Sequence, residues 1–298
     1  MSITSKKVRM MFAAGDTIRD AGLKTPEDIE RFDDICYGTD KKWQMLDVYR
    51  PKEAAGEMLP VLVNFHGGGW VYGDKERYQF YCMSLAQQGF AVVNFTYRLA
   101  PEFRFPAPVE DANLVLRWVL EHTEQYGFDI NRICATGDSA GATLLTQYTT
   151  MSTNPKYAAL FPFKIPQNLK IRAILLNCGQ YELVLGDSAD ELTTALMQDY
   201  LPNGGDDEEL NQMNALPYMT ETYPPTYLMT ANRDFLQTQA PIMQQKLEKL
   251  GIPHAFQMYG DEKHPLQHVF HCNIKLEEAK KCNTEECNFL KQCITNIE

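Results

Sequence analysis

The stretch Ile133-Cys134-Ala135-Thr136-Gly137-Asp138-Ser139-Ala140-Gly141-Ala142-Thr143-Leu144-Leu145 decides how this chain is read. A short apolar run ends in Gly-x-Ser-x-Gly and passes into a helical pattern of small residues. That order predicts a strand, a sharp turn and a helix, with Ser139 at the apex. Glycine suits positions 137 and 141, where a side chain would strike the neighbouring strand and helix. The strained turn lifts the Ser139 hydroxyl clear of the sheet, and the helix N-terminus behind it favours negative charge. The pentapeptide also occurs in ordinary turns, so its weight comes from its surroundings.

Upstream, residues 60–65 (Pro-Val-Leu-Val-Asn-Phe) form an apolar, β-branched run that predicts a buried strand. The run leads directly into His66-Gly67-Gly68-Gly69-Trp70. Successive glycines let backbone N–H groups converge on one point, as stabilising an oxyanion requires. Gly68 and Gly69 are the expected donors, with the N–H of Ala140, the residue after the nucleophile, as the third. Trp70 and Tyr72 follow this loop and either line a substrate pocket or pack.

The pairing of residues 66–70 with residues 137–141 resembles the hormone-sensitive-lipase-like branch of the α/β-hydrolases, of carboxylesterase type. Between them, Tyr97-Arg98-Leu99-Ala100-Pro101-Glu102 and Phe105-Pro106-Ala107-Pro108-Val109-Glu110-Asp111 resemble the same family's connecting signature. The resemblance implies one α/β-hydrolase domain over residues 1–298, a mostly parallel sheet flanked by helices. A small cap is expected from N-terminal helices (1–32) and from a cap or lid insertion (180–223). It further implies the chain order Ser, acid, His. Asp234 ends the run Tyr227-Leu228-Met229-Thr230-Ala231-Asn232-Arg233-Asp234 and resembles the family's acid, although Thr238 stands where a second Asp is usual. For the base, His268-Val269-Phe270 matches the family's His-Gly-Phe with Val in place of Gly, whereas His264 lies at the more usual distance after the acid. His268 is preferred and His264 is the alternative; His271 is expected to start the terminal helix. Asp138 is read as a hydrogen-bonded support of the turn, and Glu110 and Asp111 as acids serving the first turn of their helix.

What the resemblance implies is hydrolysis of small, short-acyl carboxylic esters through an acyl-enzyme, with no metal or cofactor. Two alternatives stand: an amidase of arylformamidase type on the same scaffold, and a non-catalytic ligand binder like the gibberellin-receptor relatives. The formal net charge of −11 repels phosphate backbones and excludes nucleic acid as a natural partner. The first residues hold an apolar run only at 10–14, too short for a signal peptide, and no window is apolar enough for a membrane span. A cytoplasmic protein is expected, and a homodimer is left open. The eight cysteines are scattered and expected to be reduced. The last four crowd the C-terminus without a Cys-x2-Cys pair, and Cys287, Leu290 and Ile294 fall at helical spacing, so a buried helix face is expected instead of a metal site.

Elsewhere the pattern alternates. Residues 1–32 read as helical, with Thr25-Pro26-Glu27-Asp28 as a start signal. Strands are expected at 34–38, 43–49, 60–65, 90–96, 132–136, 170–177, 225–230 and 254–259. Helices are expected at 75–88, 106–122, 238–250 and from about 273. Such alternation predicts a parallel sheet covered on both faces. It lapses between 179 and 223, where Asn203-Gly204-Gly205-Asp206-Asp207 lies.

Overall fold

The computed structural model describes residues 1–185 and 191–295; residues 186–190, within the expected insertion, lie outside the described residues. The strands, in chain order, are β1 (Ile29–Cys36), β2 (Met45–Pro51), β3 (Leu59–Phe65), β4 (Ala91–Phe95), β5 (Phe128–Asp138), β6 (Ile171–Asn177), β7 (Thr226–Ala231) and β8 (His254–Tyr259). The helices are α1 (Ile3–Asp20), α2 (Lys75–Ala86), α3 (Ala107–Glu121), the single turn α4 (Thr123–Tyr126), α5 (Ala140–Thr153), the single turn α6 (Pro155–Ala158), α7 (Glu191–Tyr200), α8 (Asp207–Met213), α9 (Gln239–Lys249) and α10 (Glu277–Thr295).

The strands form one sheet in the order β1-β2-β4-β3-β5-β6-β7-β8. From β4 to β8 every pairing is parallel, and β1 and β2 add an antiparallel edge. Alternation along each central strand supplies two cores. Val61, Val63 and Phe65 of β3 face one core with Ile133 and Ala135, while Leu62 and Cys134 face the other. The second core is closed by α2 and α10, through Tyr81, Cys82 and Leu85, and through Cys282, Cys287, Leu290 and Ile294. The terminal cysteines therefore act as small apolar residues on a buried helix face.

The segment expected to begin a helix at Thr25 instead turns and enters β1. The local start signal is overridden by the antiparallel ladder to β2, in which Ile29 faces Pro51 and Phe32 faces Val48. The terminal helix starts at Glu277, and His271 lies in a 3-10 turn, Phe270–Cys272, before it. The interval where alternation lapses contains α7 and α8.

Candidate active site

β3 and β5 lie side by side at the centre of the sheet, with Phe65 opposite Gly137. Their C-terminal ends therefore deliver the glycine loop and Ser139 to the same place. Ser139 has φ 51°, a left-handed conformation rare for a residue with a side chain, and it caps α5. A Cβ on Gly141 would run into the Phe65 carbonyl of β3, so the close approach of α5 to the sheet needs glycine there.

Three side chains from distant segments meet at this turn. His268 Nε2 lies 2.9 Å from Ser139 Oγ, and His268 Nδ1 lies 2.7 Å from Asp234 Oδ1. Asp234 is buried after β7 and accepts hydrogen bonds from the Leu236 N–H and the Thr230 hydroxyl, each 2.9 Å. Burial works to raise its pKa, but the hydrogen bond and charge of His268 outweigh it and hold the carboxyl below its usual range. Phe235 packs its ring 4.2 Å from the His268 ring. Val269, where the resemblance expects glycine, has φ 52°, so this chain places a β-branched residue in a left-handed conformation. His264 is not brought to Ser139; it is exposed and faces Asp261 at 3.4 Å.

The glycine loop is tied to the serine turn from below. Asp138 accepts from the Gly67 N–H at 3.2 Å and from the Tyr78 hydroxyl at 2.9 Å, and Tyr78 in turn accepts from Gly67 N–H at 3.0 Å. Burial raises the Asp138 carboxyl to about 6. His66 is fully buried, stacks on Tyr97 at 4.0 Å, and is pushed down to about 4 by burial, so it is neutral at pH 7. The Tyr97 hydroxyl donates to the His66 carbonyl at 2.8 Å. Gly68 has φ 123° and a Cβ there would strike the Tyr72 carbonyl, which makes glycine obligatory. Asp111 and Glu110 do more than serve their helix: Asp111 accepts from the Arg98 N–H at 2.7 Å and its guanidinium at 2.9 Å, and Glu110 pairs with Arg98 at 2.7 Å.

Ser139 sits between two cavities. One, of about 250 Å³, is lined by His268, Gly68, Tyr72, Tyr78 and Phe235, and by Phe12, Asp16 and Arg19 of α1. The other, of about 50 Å³, is lined by Trp70, Gly69, Ala140, Val8, Leu196 and Leu236, among others. Trp70 stacks on Tyr200 at 5.1 Å. Sequence reasoning named Trp70 and Tyr72 but missed every α1 residue, because nothing in the spacing of residues 8–19 points to a site 120 residues downstream.

Among the described residues, two groups bring three side chains with metal-ligand atoms within 4.8 Å of one another: Asp138 with His271 and Cys272, and Cys178 with Asp234 and His268. Asp138, Asp234 and His268 are already committed to the hydrogen bonds above. His271 is pushed down to about 3 by burial.

A serine raised on a strand–helix turn, facing an imidazole and a carboxylate at the C-terminal edge of a parallel sheet, defines an α/β-hydrolase. A family model described as BD-FAE matches residues 46–247, about two thirds of the chain. The chain belongs to that family. Esterase LipI of Mycobacterium tuberculosis is 49% identical over 86 residues, covering 28% of this chain and 27% of the relative. Carboxylesterase NlhH of the same species is 37% identical over 127 residues, 41% of this chain and 40% of that one. The aligned stretches thus span less than half the length of these relatives. A crystal structure of esterase B from Lactobacillus rhamnosis, inhibited by a C6-C4 SN3 compound, superposes with a TM-score of 0.87 at 25% identity, covering 99% of this chain and 97% of that one. Among the described residues, no helix is long and apolar enough to cross a membrane.

Proposed function

We propose that this protein is a serine carboxylesterase acting on small, short-acyl esters through an acyl-enzyme, with Ser139, His268 and Asp234 as its triad. The observation that carries this reading is the pair of contacts at His268, 2.9 Å to Ser139 Oγ and 2.7 Å to Asp234. His268 Nε2 takes the Ser139 proton as Oγ attacks the ester carbonyl. Asp234 holds the proton on Nδ1 and stabilises the imidazolium that forms. The negative oxygen of the tetrahedral intermediate is received by the N–H groups of Gly68, Gly69 and Ala140. The N–H of Ala140 opens a helix and so has no intrahelical acceptor. Collapse breaks the C–O bond, and His268 delivers the proton to the departing alkoxide. Water then repeats the sequence: His268 removes its proton, hydroxide adds to the acyl carbonyl, and Ser139 leaves with the proton returned.

In this reading α1, with α7 and α8, forms a cap over the site. The Ser2 N–H donates to Asp199 at the end of α7 at 2.8 Å, and Arg9 pairs with Glu102 at 2.7 Å. The site needs only this chain and water. The reading also takes the protein as cytoplasmic and, in line with its net charge of −11, without nucleic-acid partners.

The test is labelling by a fluorophosphonate probe together with hydrolysis of p-nitrophenyl acetate. A stoichiometric adduct on Ser139, blocking turnover, is expected. Turnover that persists after labelling, or no label on the wild-type chain, overturns the reading.

A further inference from the structure

The two cavities are not equivalent, and the chemistry tells them apart. The departing alkoxide must receive its proton from His268 Nε2, so the leaving group lies on the His268 side of Ser139. That side is the cavity of about 250 Å³, which His268 lines; His268 does not line the cavity of about 50 Å³. A closed cavity of about 150 Å³ accommodates benzene, roughly 25 Å³ per heavy atom. By that measure the small cavity takes about two heavy atoms beyond the carbonyl, and the large one about ten. The small cavity is walled by Val8, Trp70, Leu196 and Leu236, an apolar surface that fits a methyl or ethyl group.

The large cavity has a different wall. Phe12 meets Tyr72 edge to face at 5.8 Å, which supplies apolar ring surface. Beside these rings stands Asp16, whose side chain is 16% exposed. Its Oδ1 pairs with Arg19 at 2.8 Å and its Oδ2 accepts from the Tyr72 hydroxyl at 2.7 Å. A carboxylate has about four acceptor positions, so the carboxylate retains capacity for donors arriving from the cavity. Arg19, held also by Asp20 and by the Arg77 carbonyl, already supplies Asp16 with its charged partner, so a further donor at this carboxylate need carry no charge. The donors that suit this wall are therefore neutral hydroxyls.

Building on the esterase reading of the site, we propose that the cavity beside Asp16 is the leaving-group pocket and selects polyol or sugar alcohols carrying an acetyl or propionyl ester. Asp16 is the specificity-determining residue, accepting a hydroxyl of the alcohol remote from the ester bond.

The experiment compares kcat/KM for glycerol 1-acetate with kcat/KM for butyl acetate, two acetates of alkyl alcohols that differ in hydroxyl donors. Loss of a hydrogen bond to a charged group predicts that Asp16→Ala lowers the glycerol-to-butyl ratio about tenfold, through KM more than kcat. Asp16→Asn, which keeps an acceptor oxygen and the shape of the site, falls between it and the wild type and serves if the alanine variant does not fold. A ratio within twofold of wild type in both folded variants overturns the proposal, as does a loss equal for both esters. If the wild type cleaves neither ester and Ser139 takes no fluorophosphonate, the esterase reading itself fails. A labelled enzyme that cleaves both esters with no dependence on Asp16 overturns only the pocket assignment.

Discussion

The segment from β3 through α5 and the N-terminal helix α1 both reach Ser139, but different forces hold them. The first is embedded in the sheet. Gly68, Gly137 and Gly141 lie where backbone meets backbone, and its polar groups (His66, Asp138, Tyr78) are buried and hydrogen-bonded to the loop they support. The second is attached mainly through side chains: the Ser2 N–H to Asp199, Arg9 to Glu102, Asp16 to the Tyr72 hydroxyl, and Arg19 to the Arg77 carbonyl. Ile3, Met10, Met11 and Ile18 of α1 are exposed, and only Ser5 and Val8 are buried. The difference separates two tasks. The serine turn is held by packed backbone that tolerates little change, while the larger cavity is walled by a helix whose contacts can be altered one at a time.

The comparison breaks first at the nucleophile. Ser139→Ala should lower kcat/KM for p-nitrophenyl acetate by about 10⁴-fold or more, with Tm close to wild type; retained turnover would move the chemistry elsewhere. His268→Ala should cost about 10³-fold in the same assay, and His264→Ala less than about twofold; the reverse ranking would make His264 the base. Tyr78→Phe removes the hydroxyl shared by Gly67 and Asp138 while leaving the ring in place. A fall in kcat of about tenfold with little change in KM is expected from a displaced oxyanion loop, and an equal rise in KM would assign Tyr78 to binding instead.

Behind the sheet, Glu286 of α10 is fully buried, and burial raises its pKa to about 8 from an ordinary 4.5. The folded state therefore binds more protons than the unfolded chain between those values. Stability should fall as pH rises from about 4.5 through 8, by up to about 1.4 kcal/mol per pH unit. Glu286→Gln should raise Tm by roughly 4 °C or more at pH 8 and change it little at pH 5, followed by thermal melts. An equal shift at both pH values would deny the titration. The smallest effect belongs to the cap side: Leu196→Ala should enlarge the small cavity and shift the butyrate-to-acetate ratio of p-nitrophenyl ester turnover upward about threefold to tenfold. An unchanged ratio would remove Leu196 from the acyl wall.

The central strands, the glycine loop and the serine turn were legible because their signals are local. Apolar runs stop at glycines whose spacing states the backbone geometry required. His268 was harder to separate from His264, since the two differ only in the loop between β8 and the terminal helix. There Asp261 accepts the N–H groups of Lys263 and His264, folding that turn outward and leaving His268 to reach the serine. Thr25-Pro26-Glu27-Asp28 carried a helix start signal that pairing with β2 overruled, and a ladder to residues 45–51 leaves no mark in a window around 25.

By itself, the chain's order of residues determined the sheet, the serine turn and the glycine loop, because each is a short-range consequence of side-chain volume and allowed backbone angles, while Asp234 stood out only through the family resemblance. Only the tertiary structure decided which imidazole faces Ser139, that Arg98 engages Asp111, and that Asp16 and Phe12 enter the wall of the cleft. Those relations join segments far apart in sequence, and only packing against the sheet sets the distances between them.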